Sequence, residues 1–401
     1  PKVKVPKEFI CTLSNAIMSE PVVIASGQTY EKRYITQLLM YESKCPRSKK
    51  DLSSTLWTPN HLVDELITKW CRANNYDRPK PSDETVAGMC KDAIESLLNR
   101  ISSPSSLQDQ TEAAKSLRYM TKKSPNDRVL FVDGFPNSVT RLLTPLSALA
   151  DSNLELQEHL VTTLFNISVV KKNRTVIAEN PLVIPLLTKS LKQGTAETRR
   201  NSASALLSLS AIDSNKTILG TPEVIKALTD VIGEGDFLAT REAANTVYNL
   251  YTVSWNIVEA DAEDLTRVLM KRIKEGSNAD VLFNEGSNAD VLLSVLALLS
   301  THVCAIKLMW LLGFIQDLFS ILRESSCSRT CEQALVVVYN MCTSDKYKVK
   351  TRLEVVNGEE NKYGTFTKLA KQGTSDRGVK VAKSILQGLK IYGTGKHPQT
   401  E

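Results

Sequence analysis

Four stretches of this chain share one pattern at a nearly constant interval: Leu164-Phe165-Asn166-Ile167-Ser168, Leu206-Leu207-Ser208-Leu209-Ser210, Val247-Tyr248-Asn249-Leu250-Tyr251 and Val338-Tyr339-Asn340-Met341-Cys342. The first three are centred on residues 166, 208 and 249, steps of 42 and 41, and the pattern resumes at Leu298 and Asn340, again 42 apart. A period of about 40 residues with apolar positions at helical spacing describes a helical unit that cannot bury its apolar face alone. Such units stack on their neighbours, so the chain from about residue 83 onward is expected to be a helical array.

The flanks of the anchors match as well. Asn173-Arg174-Thr175-Val176-Ile177 follows the first and Asn215-Lys216-Thr217-Ile218-Leu219 the second. Each is followed by a proline-containing turn and an apolar helix, Leu182 to Leu191 and Val224 to Ile232. This layout resembles the armadillo repeat, which implies a three-helix unit with the anchors on the third helix. The step from 249 to 298 is 49 because Glu275-Gly276-Ser277-Asn278-Ala279-Asp280-Val281-Leu282 recurs as Glu285-Gly286-Ser287-Asn288-Ala289-Asp290-Val291-Leu292. Removing one ten-residue copy leaves 39, so the segment 275–292 reads as a local duplication or an error of the gene model. Weaker units at Glu112 to Met120 and Val381 to Leu389 flank the array as degenerate caps, for about six repeats over 111–392.

Composition agrees with leucine- and alanine-rich helix packing: 42% of the 401 residues are hydrophobic and only 6% aromatic. The eight cysteines, at 11, 45, 71, 90, 304, 327, 331 and 342, form no disulfide framework, and no run of about 18 apolar residues or signal peptide is present. The expectation is a reduced, soluble, intracellular protein, cytoplasmic or nuclear, with no membrane partner. A formal charge of +6, with 50 basic residues interleaved among 44 acidic ones, requires no nucleic acid. The chain opens on Pro1, which leaves room for an upstream segment.

Residues 1–78 follow a different grammar. Val22-Val23-Ile24 is a β-branched run, Ala25-Ser26-Gly27-Gln28 supplies turn chemistry, and Thr29 is placed to cap a helix from Glu31 to Leu39. Asn60 is placed to cap a second helix, with Asp64 and Glu65 in its first turn and Leu62, Leu66 and Trp70 on one face. The polar, proline-broken stretch from Asn74 to Pro81 reads as the domain boundary, with 79–110 a linker and the start of the array and 393–401 a tail.

The run Phe9 to Met18, then Glu20-Pro21-Val22, Gly27-Gln28-Thr29-Tyr30-Glu31, Cys45-Pro46 and Pro59-Asn60-His61-Leu62, resembles the U-box family over nearly a whole domain. The whole chain resembles the plant U-box/armadillo-repeat ubiquitin ligases. The fold expected is therefore mainly α: a small α+β U-box, RING-like and zinc-free, followed by an armadillo-type α-solenoid. Cys11, Cys45, His61 and Cys71 lack the closely spaced ligand pairs that two zinc sites need, so no metal or other cofactor is expected. The resemblance implies that polar side chains replace zinc; Ser26, Glu31, Lys32, Asp51 and Asn60 are the candidates.

In this family no side chain attacks the thioester; the domain docks a ubiquitin-loaded conjugating enzyme and holds ubiquitin in a reactive pose. Carried onto this sequence, the docking contacts are Leu13, Leu38, Cys45, Pro46, Lys49 and Pro59, and there is no catalytic nucleophile. Lys49 falls where many such domains carry a cation, and a lysine is a weaker single-point donor than arginine. Thr12 replaces the usual proline, and Leu38 stands where plant members carry tryptophan. Exchanging that ring for leucine removes on the order of 1 kcal/mol of docking energy.

The array supplies a substrate side. A ladder of asparagines on third helices can hydrogen-bond an extended peptide, and Asn166, Asn249 and Asn340 hold that position, interrupted by Ser208 and Leu298. The same asparagines could instead cap neighbouring turns. Basic residues Lys171, Lys172, Arg174, Lys192, Arg199 and Arg200 could favour acidic partners or form a solvated face. The expected function is ubiquitin transfer to a lysine of a protein substrate held in the groove. The alternative is a non-enzymatic armadillo scaffold or adaptor with a weakened U-box.

Overall fold

The computed structural model describes residues 4–39, 43–78, 83–103, 106–148, 153–253, 259–277, 288–343, 349–371 and 374–393. They form two compact units, Pro1–Asn173 and Arg174–Glu401. The compositional break at 74–81 lies within the first unit, which holds the N-terminal module together with the first helices of the array.

That module opens with a 3-10 turn at Lys7–Phe9 and a hairpin of β1 (Pro21–Ile24) and β2 (Thr29–Glu31). Gly27, at φ 76°, makes the turn in a left-handed conformation that a side chain disfavours, and its amide donates to the Ile24 carbonyl at 2.8 Å. β3 (Trp57–Pro59) adds to the other side of β1, giving an antiparallel sheet ordered β2-β1-β3 in which Val22 pairs with Tyr30 and Pro59. α1 (Lys32–Leu39) and α2 (His61–Ala73) complete it around a core that includes Met18, Val22, Tyr30, Ile35 and Ile67.

Two expectations need correction, and one strand went unread. Thr29 does not cap a helix; it lies in β2, where its hydroxyl accepts from Asn60 Nδ2 at 2.9 Å, and α1 begins at Lys32. β3 had no clear signal, because three residues ending in Pro59 show no alternation. The buried face of α2 is also offset from Leu62, Leu66 and Trp70. Ile67 and Cys71 are buried, with Val63 and Trp70 half-buried against the core, while Leu62 and Leu66 are 68% and 46% exposed. Two apolar stripes lie one residue apart on this helix, and it can bury only an arc of about 100° against β1.

In the first unit, α3 (Asp83–Ser102) packs on α4 (Leu107–Lys123), followed by α5 (Pro125–Asp133), α6 (Ser138–Ala148) and α7 (Leu154–Ser168). α3 pairs with α6 and α4 with α7, the registration of successive repeats. The second unit runs α8 (Asn173–Glu179), α9 (Val183–Gln193), α10 (Ala196–Ser210), α11 (Asp213–Leu219), α12 (Pro222–Glu234), α13 (Phe237–Tyr251) and α14 (Glu259–Ser277). It ends with α15 (Ala289–Leu299), α16 (Val303–Leu311), α17 (Phe314–Glu324), α18 (Ser328–Thr343), α19 (Val349–Tyr363), α20 (Thr365–Lys371) and α21 (Asp376–Gly393). The anchors at 166, 208, 249, 298 and 340 fall on α7, α10, α13, α15 and α18, and α10, α13, α15, α18 and α21 stack in that order. The two weaker flanking units, Glu112 to Met120 and Val381 to Leu389, fall on α4 and α21, and α3, in the stretch read as linker and start of the array, packs on α4. Residues 275–277 of the first copy of the duplication end α14 and residues 289–292 of the second begin α15; residues 278–287 lie outside the described residues.

No single helix among the described residues is long and apolar enough to cross a membrane; the apolar pair α16 and α17 is bent by 84° and largely buried in the array. Side-chain caps close the helices, with Ser106, Ser124, Asn153, Thr195, Thr221 and Asp236 each accepting from an amide three residues on. Each cap is worth about 1 kcal/mol.

The recurrence after the anchors has a structural cause. Asn215, fully buried, donates from Nδ2 to the carbonyls of Leu209 at 3.1 Å and Arg174 at 3.2 Å, tying the end of a third helix to the start of the preceding first helix. Asn173, 42 residues earlier, does the same with Ile167 at 3.0 Å and Arg128 at 2.8 Å. Replacing Asn215→Ala strands two buried acceptors and is expected to lower the stability of the second unit by about 2–3 kcal/mol, read as a shift in the urea midpoint.

Candidate functional site

Two loops of the N-terminal module are built alike. In the first, Cys11 N–H donates to the Ala16 carbonyl at 2.9 Å and Asn15 N–H to the Cys11 carbonyl at 2.8 Å. In the second, Cys45 N–H donates to the Lys50 carbonyl at 2.9 Å and Lys49 N–H to the Cys45 carbonyl at 2.8 Å. Asn15 and Lys49 occupy the same place, four residues after the cysteine, and both are left-handed, at φ 51° and 59°. Asparagine tolerates that conformation; lysine does so at a cost of about 1–2 kcal/mol, sustained because the loop closure fixes it. Isolated bridges between Ile10 and Ile17 and between Lys44 and Asp51 close the two loops at their bases.

Both cysteines are fully buried and their sulfurs act as acceptors. Cys11 Sγ receives the amides of Glu31 at 3.3 Å and Leu13 at 3.4 Å. Cys45 Sγ receives the Ser26 hydroxyl at 3.3 Å and lies 3.8 Å from the Tyr30 hydroxyl. Burial opposes ionisation of Cys45, but hydrogen bonds from the Ser26 and Ser48 hydroxyls and the amides of Ser48 and Arg47 outweigh it, holding the thiol at about 6. The Tyr30 hydroxyl is pushed up to about 12, by burial first and then by its bond to Cys45. Among the described residues, no group of three or more His, Cys, Asp or Glu side chains stands together as a metal site would require.

Polar side chains fix the remainder. The buried Glu31 carboxylate accepts the amides of Ser19 at 2.6 Å and Glu20 at 3.1 Å and the Ser19 hydroxyl at 3.0 Å. Asn60 Oδ1 caps α2 at the Val63 amide, 3.2 Å away, and Lys32 pairs with Glu20 at 3.0 Å on the surface. Asp51 contributes through its backbone bridge to Lys44. Residues that sequence reasoning missed complete the brace. Arg78 donates to the Met18 carbonyl and the Asp64 carboxylate, each at 2.7 Å, and Trp70 stands between the rings of Phe9 and Tyr76. Arg78 lies in the proline-broken stretch whose composition reads as linker, so nothing local marked it.

This geometry presents the expected docking residues as follows. Leu13, in the first loop, and Leu38, on α1, are half-buried against the core; Pro46 is half-exposed beside the buried Cys45; Lys49 and Pro59 are exposed. Pro59 ends β3, one residue before the cap of α2.

Residues 5–76 match the family model described as the U-box domain. U-box domain-containing protein 46 of Arabidopsis thaliana is 58% identical over 400 residues, which cover 99% of this chain and 84% of that protein. This chain belongs to the plant U-box protein family. U-box domain-containing protein 9 of the same plant is 40% identical over 97% of the chain and 83% of its own length. The rice E3 ubiquitin-protein ligase SPL11 is 33% identical over 42% of this chain and 24% of that protein. A structure solved in work on a phosphorylation switch between cadherin and beta-catenin matches with a TM-score of 0.62, covering 90% of this chain and 65% of that one, at 15% identity. That likeness speaks for the fold alone, and with the matched U-box domain it gives a U-box followed by an armadillo-type solenoid.

In the solenoid of this U-box protein the anchor asparagines turn toward the preceding repeat. Asn249 Nδ2 donates to Ser210 Oγ at 3.0 Å, and Asn340 Nδ2 to Ser300 Oγ at 2.8 Å. Asn166 is buried and spends Nδ2 on the Arg118 carbonyl at 3.2 Å and Thr121 Oγ1 at 3.1 Å. Its donors are thus not offered to a peptide, whereas Asn249 and Asn340 remain half-exposed, as does Ser208. Of the basic residues after the first anchor, Lys172 pairs with Asp133, Arg199 with Glu234 and Arg200 with Asp236.

The Cys45 thiol gives a direct test. Its ordinary value near 9 falls to about 6 on folding, so the stability it adds is complete above pH 9 and is lost as pH falls toward 6. The difference in thiolate absorbance between the wild type and Cys45→Ser is expected to titrate near pH 6, and the variant to lose the rise in stability between pH 6 and 9. A titration midpoint near 9 would show that the sulfur is held as a thiol.

Proposed function

We propose that this protein is a ubiquitin ligase whose U-box docks a ubiquitin-charged conjugating enzyme while the solenoid holds a protein substrate, so that ubiquitin passes to a substrate lysine. The reading rests above all on the paired loops, which hold Leu13 and Pro46 partly open to solvent beside two buried cysteines. A half-buried leucine and a half-buried proline on fixed backbone make an apolar platform that loses little entropy on docking. Leu38 and Pro59 extend it, and Cys45 sets the loop backbone from below.

Lys49 is the polar element. Its left-handed backbone and exposed side chain would let the ammonium reach both a conjugating enzyme and its ubiquitin, as the family resemblance implies. Ubiquitin transfer by this route is catalysis by positioning: the thioester carbonyl and the substrate amine are brought into reacting geometry without a nucleophile from the ligase. On the substrate side, Asn249, Asn340 and Ser208 are the ladder positions with exposed surface, next to the exposed rings of Tyr248 and Tyr339. A cytoplasmic or nuclear location is consistent with this chemistry.

The scaffold reading keeps one observation in its favour. Leu38 is half-buried in the module core, so its contribution to the platform is smaller than a tryptophan's. With ubiquitin, activating enzyme, a panel of conjugating enzymes and ATP, the wild type is expected to build ubiquitin ladders. Leu13→Ala and Pro46→Ala should each cut the rate about tenfold or more, while Lys49→Arg should raise it a few-fold through a second donor. If no conjugating enzyme gives ladders above the Leu13→Ala, Pro46→Ala double variant, the scaffold reading replaces the ligase.

A further inference from the structure

Within the first unit a cavity of about 640 Å³ opens where the second loop region of the U-box meets the first helices of the solenoid. Among the described residues its charged lining is lopsided: Lys44, Arg100, Lys115, Arg118 and Lys122 face it, against one carboxylate, Glu112. Arg100 is neutralised by Asp109 at 2.6 Å and Arg118 by Glu158 at 3.1 Å. Lys44, Lys115 and Lys122 make no ion pair among the described residues, and all three are exposed. Glu112 is hydrogen-bonded by Gln108 at 3.3 Å and offsets only part of this charge.

The position of the cavity ties it to substrate. Thr121 accepts the amide of Asn166 as Ser210 accepts that of Asn249 and Ser300 that of Asn340. Ser210 and Ser300 lie two residues beyond Ser208 and Leu298, so Tyr119, two residues before Thr121, is in register with the ladder. Tyr119 lines the cavity and is 37% exposed. Lys115, Arg118, Tyr119 and Lys122 follow one another at spacings of three, one and three residues, a single face of α4.

The inner wall includes a donor of its own. Arg118 Nη1 lies 3.1 Å from His159 Nδ1, and because arginine only donates, the ring proton is assigned to Nε2. Burial first, and then the Arg118 charge, push the imidazole below its ordinary value, which keeps it neutral at pH 7. Nε2 is buried without a hydrogen-bond partner among the described residues, 3.7 Å from the Glu155 carboxylate. The hydroxyls of Ser43 and Ser116 also line the cavity.

We propose that this cavity binds a phosphorylated serine or threonine in an extended segment of the protein substrate, entering the groove at its U-box end. Three cations without ion pairs match a dianionic group with three acceptor oxygens better than a lone carboxylate, which would leave more positive charge uncompensated. The volume falls within the range of sites that hold a whole small ligand, on the order of 300–1,000 Å³, so it admits a phosphorylated side chain with its neighbours and is larger than a bare ion needs. Tyr119, with Lys123 Nζ 5.7 Å from its ring centroid, adds an exposed aromatic surface for the residue beside the phosphate. The proposal deepens the substrate-side reading above and rests on it for the identity of the bound protein, but its test measures binding alone.

The probes are fluorescein-labelled degenerate peptides carrying a central phosphoserine, serine or glutamate, and a single-stranded oligonucleotide, titrated with the full chain at about 0.15 M ionic strength and read by anisotropy. The phosphoserine peptide is expected to bind about tenfold or more tightly than the other two peptides and to be displaced by free phosphoserine. Lys115→Gln, Lys122→Gln should bring it to the level of the serine peptide. Both residues are exposed, so the variant is expected to retain its helical circular dichroism and melting curve, and the double variant Lys307→Gln, Lys383→Gln, on α16 and α21, serves as the charge-matched control. Equal binding of phosphoserine and serine peptides, or affinity unchanged in the double variant, overturns the proposal. So does tighter binding of the oligonucleotide that is lost in the same variant, which would make the cavity a nucleic-acid contact. Ubiquitin ladders without phosphoserine selectivity would leave the ligase reading standing and remove this one; selectivity without ladders would do the reverse.

Discussion

The exposed surface of the U-box depends on how hydrogen bonds close two loops around two buried cysteines. A metal would fix each loop by several bonds at once; here a cysteine amide, a carbonyl and a buried sulfur do it by hydrogen bonds. Individually such bonds contribute about 1 kcal/mol, and bonds to a charged acceptor more. The arrangement works because the donors converge: two amides on Cys11, hydroxyls and amides on Cys45, and three donors on the buried Glu31 carboxylate. Leu13, Pro46 and Lys49 are all within four residues of one of these cysteines. Their placement is inherited from the closure, which is why lysine can be held in a left-handed conformation it would not choose.

The array solves a different problem, that of repeats which are each too thin to keep a core. Apolar side chains fill the interior, but they do not set the register between one unit and the next. Two asparagine systems do. One, at the start of the first helices, buries its amide completely between two carbonyls; the other, at the anchors, reaches a serine or threonine near the end of the previous third helix. A buried amide that is satisfied in only one alignment penalises slippage by leaving polar groups unpaired. The interruption at Ser208 and Leu298 shows that not every interface carries the second system.

Much of this could be read from the sequence, and the failures have physical causes. Helix type, order and period were legible because apolar spacing over 15 residues is a strong signal. So was the absence of paired zinc ligands. The wrong face on α2 came from two overlapping stripes, between which only the packing on β1 decides. Thr29 carries the chemistry of both a cap and a strand residue, and strand pairing with Val23 won. The recurrence of Asn173 and Asn215 was visible as a 42-residue match, yet its meaning was not, since the partner carbonyls come from residues up to 45 positions away. Asn166 misled for a related reason: its residue type suits a peptide ladder, and only the position of Thr121 shows where its donors go.

On the proposed reading, the coupling of recognition to transfer would be set within the first unit. U-box and leading solenoid helices share it, and Arg78 ties the segment after α2 back onto the U-box by bonds to Met18 and Asp64. Lys44 lies one residue before Cys45, so the loop that carries Pro46 also supplies a wall of the cationic cavity. A substrate group held there would sit beside the loop proposed to dock the conjugating enzyme. Effective concentration falls steeply with the length and slack of a tether, so such a short span between the two contacts would favour transfer to lysines near the bound segment. Selectivity for the modified lysine would then belong to this junction, and substrate affinity along the remainder of the solenoid would be a separate property.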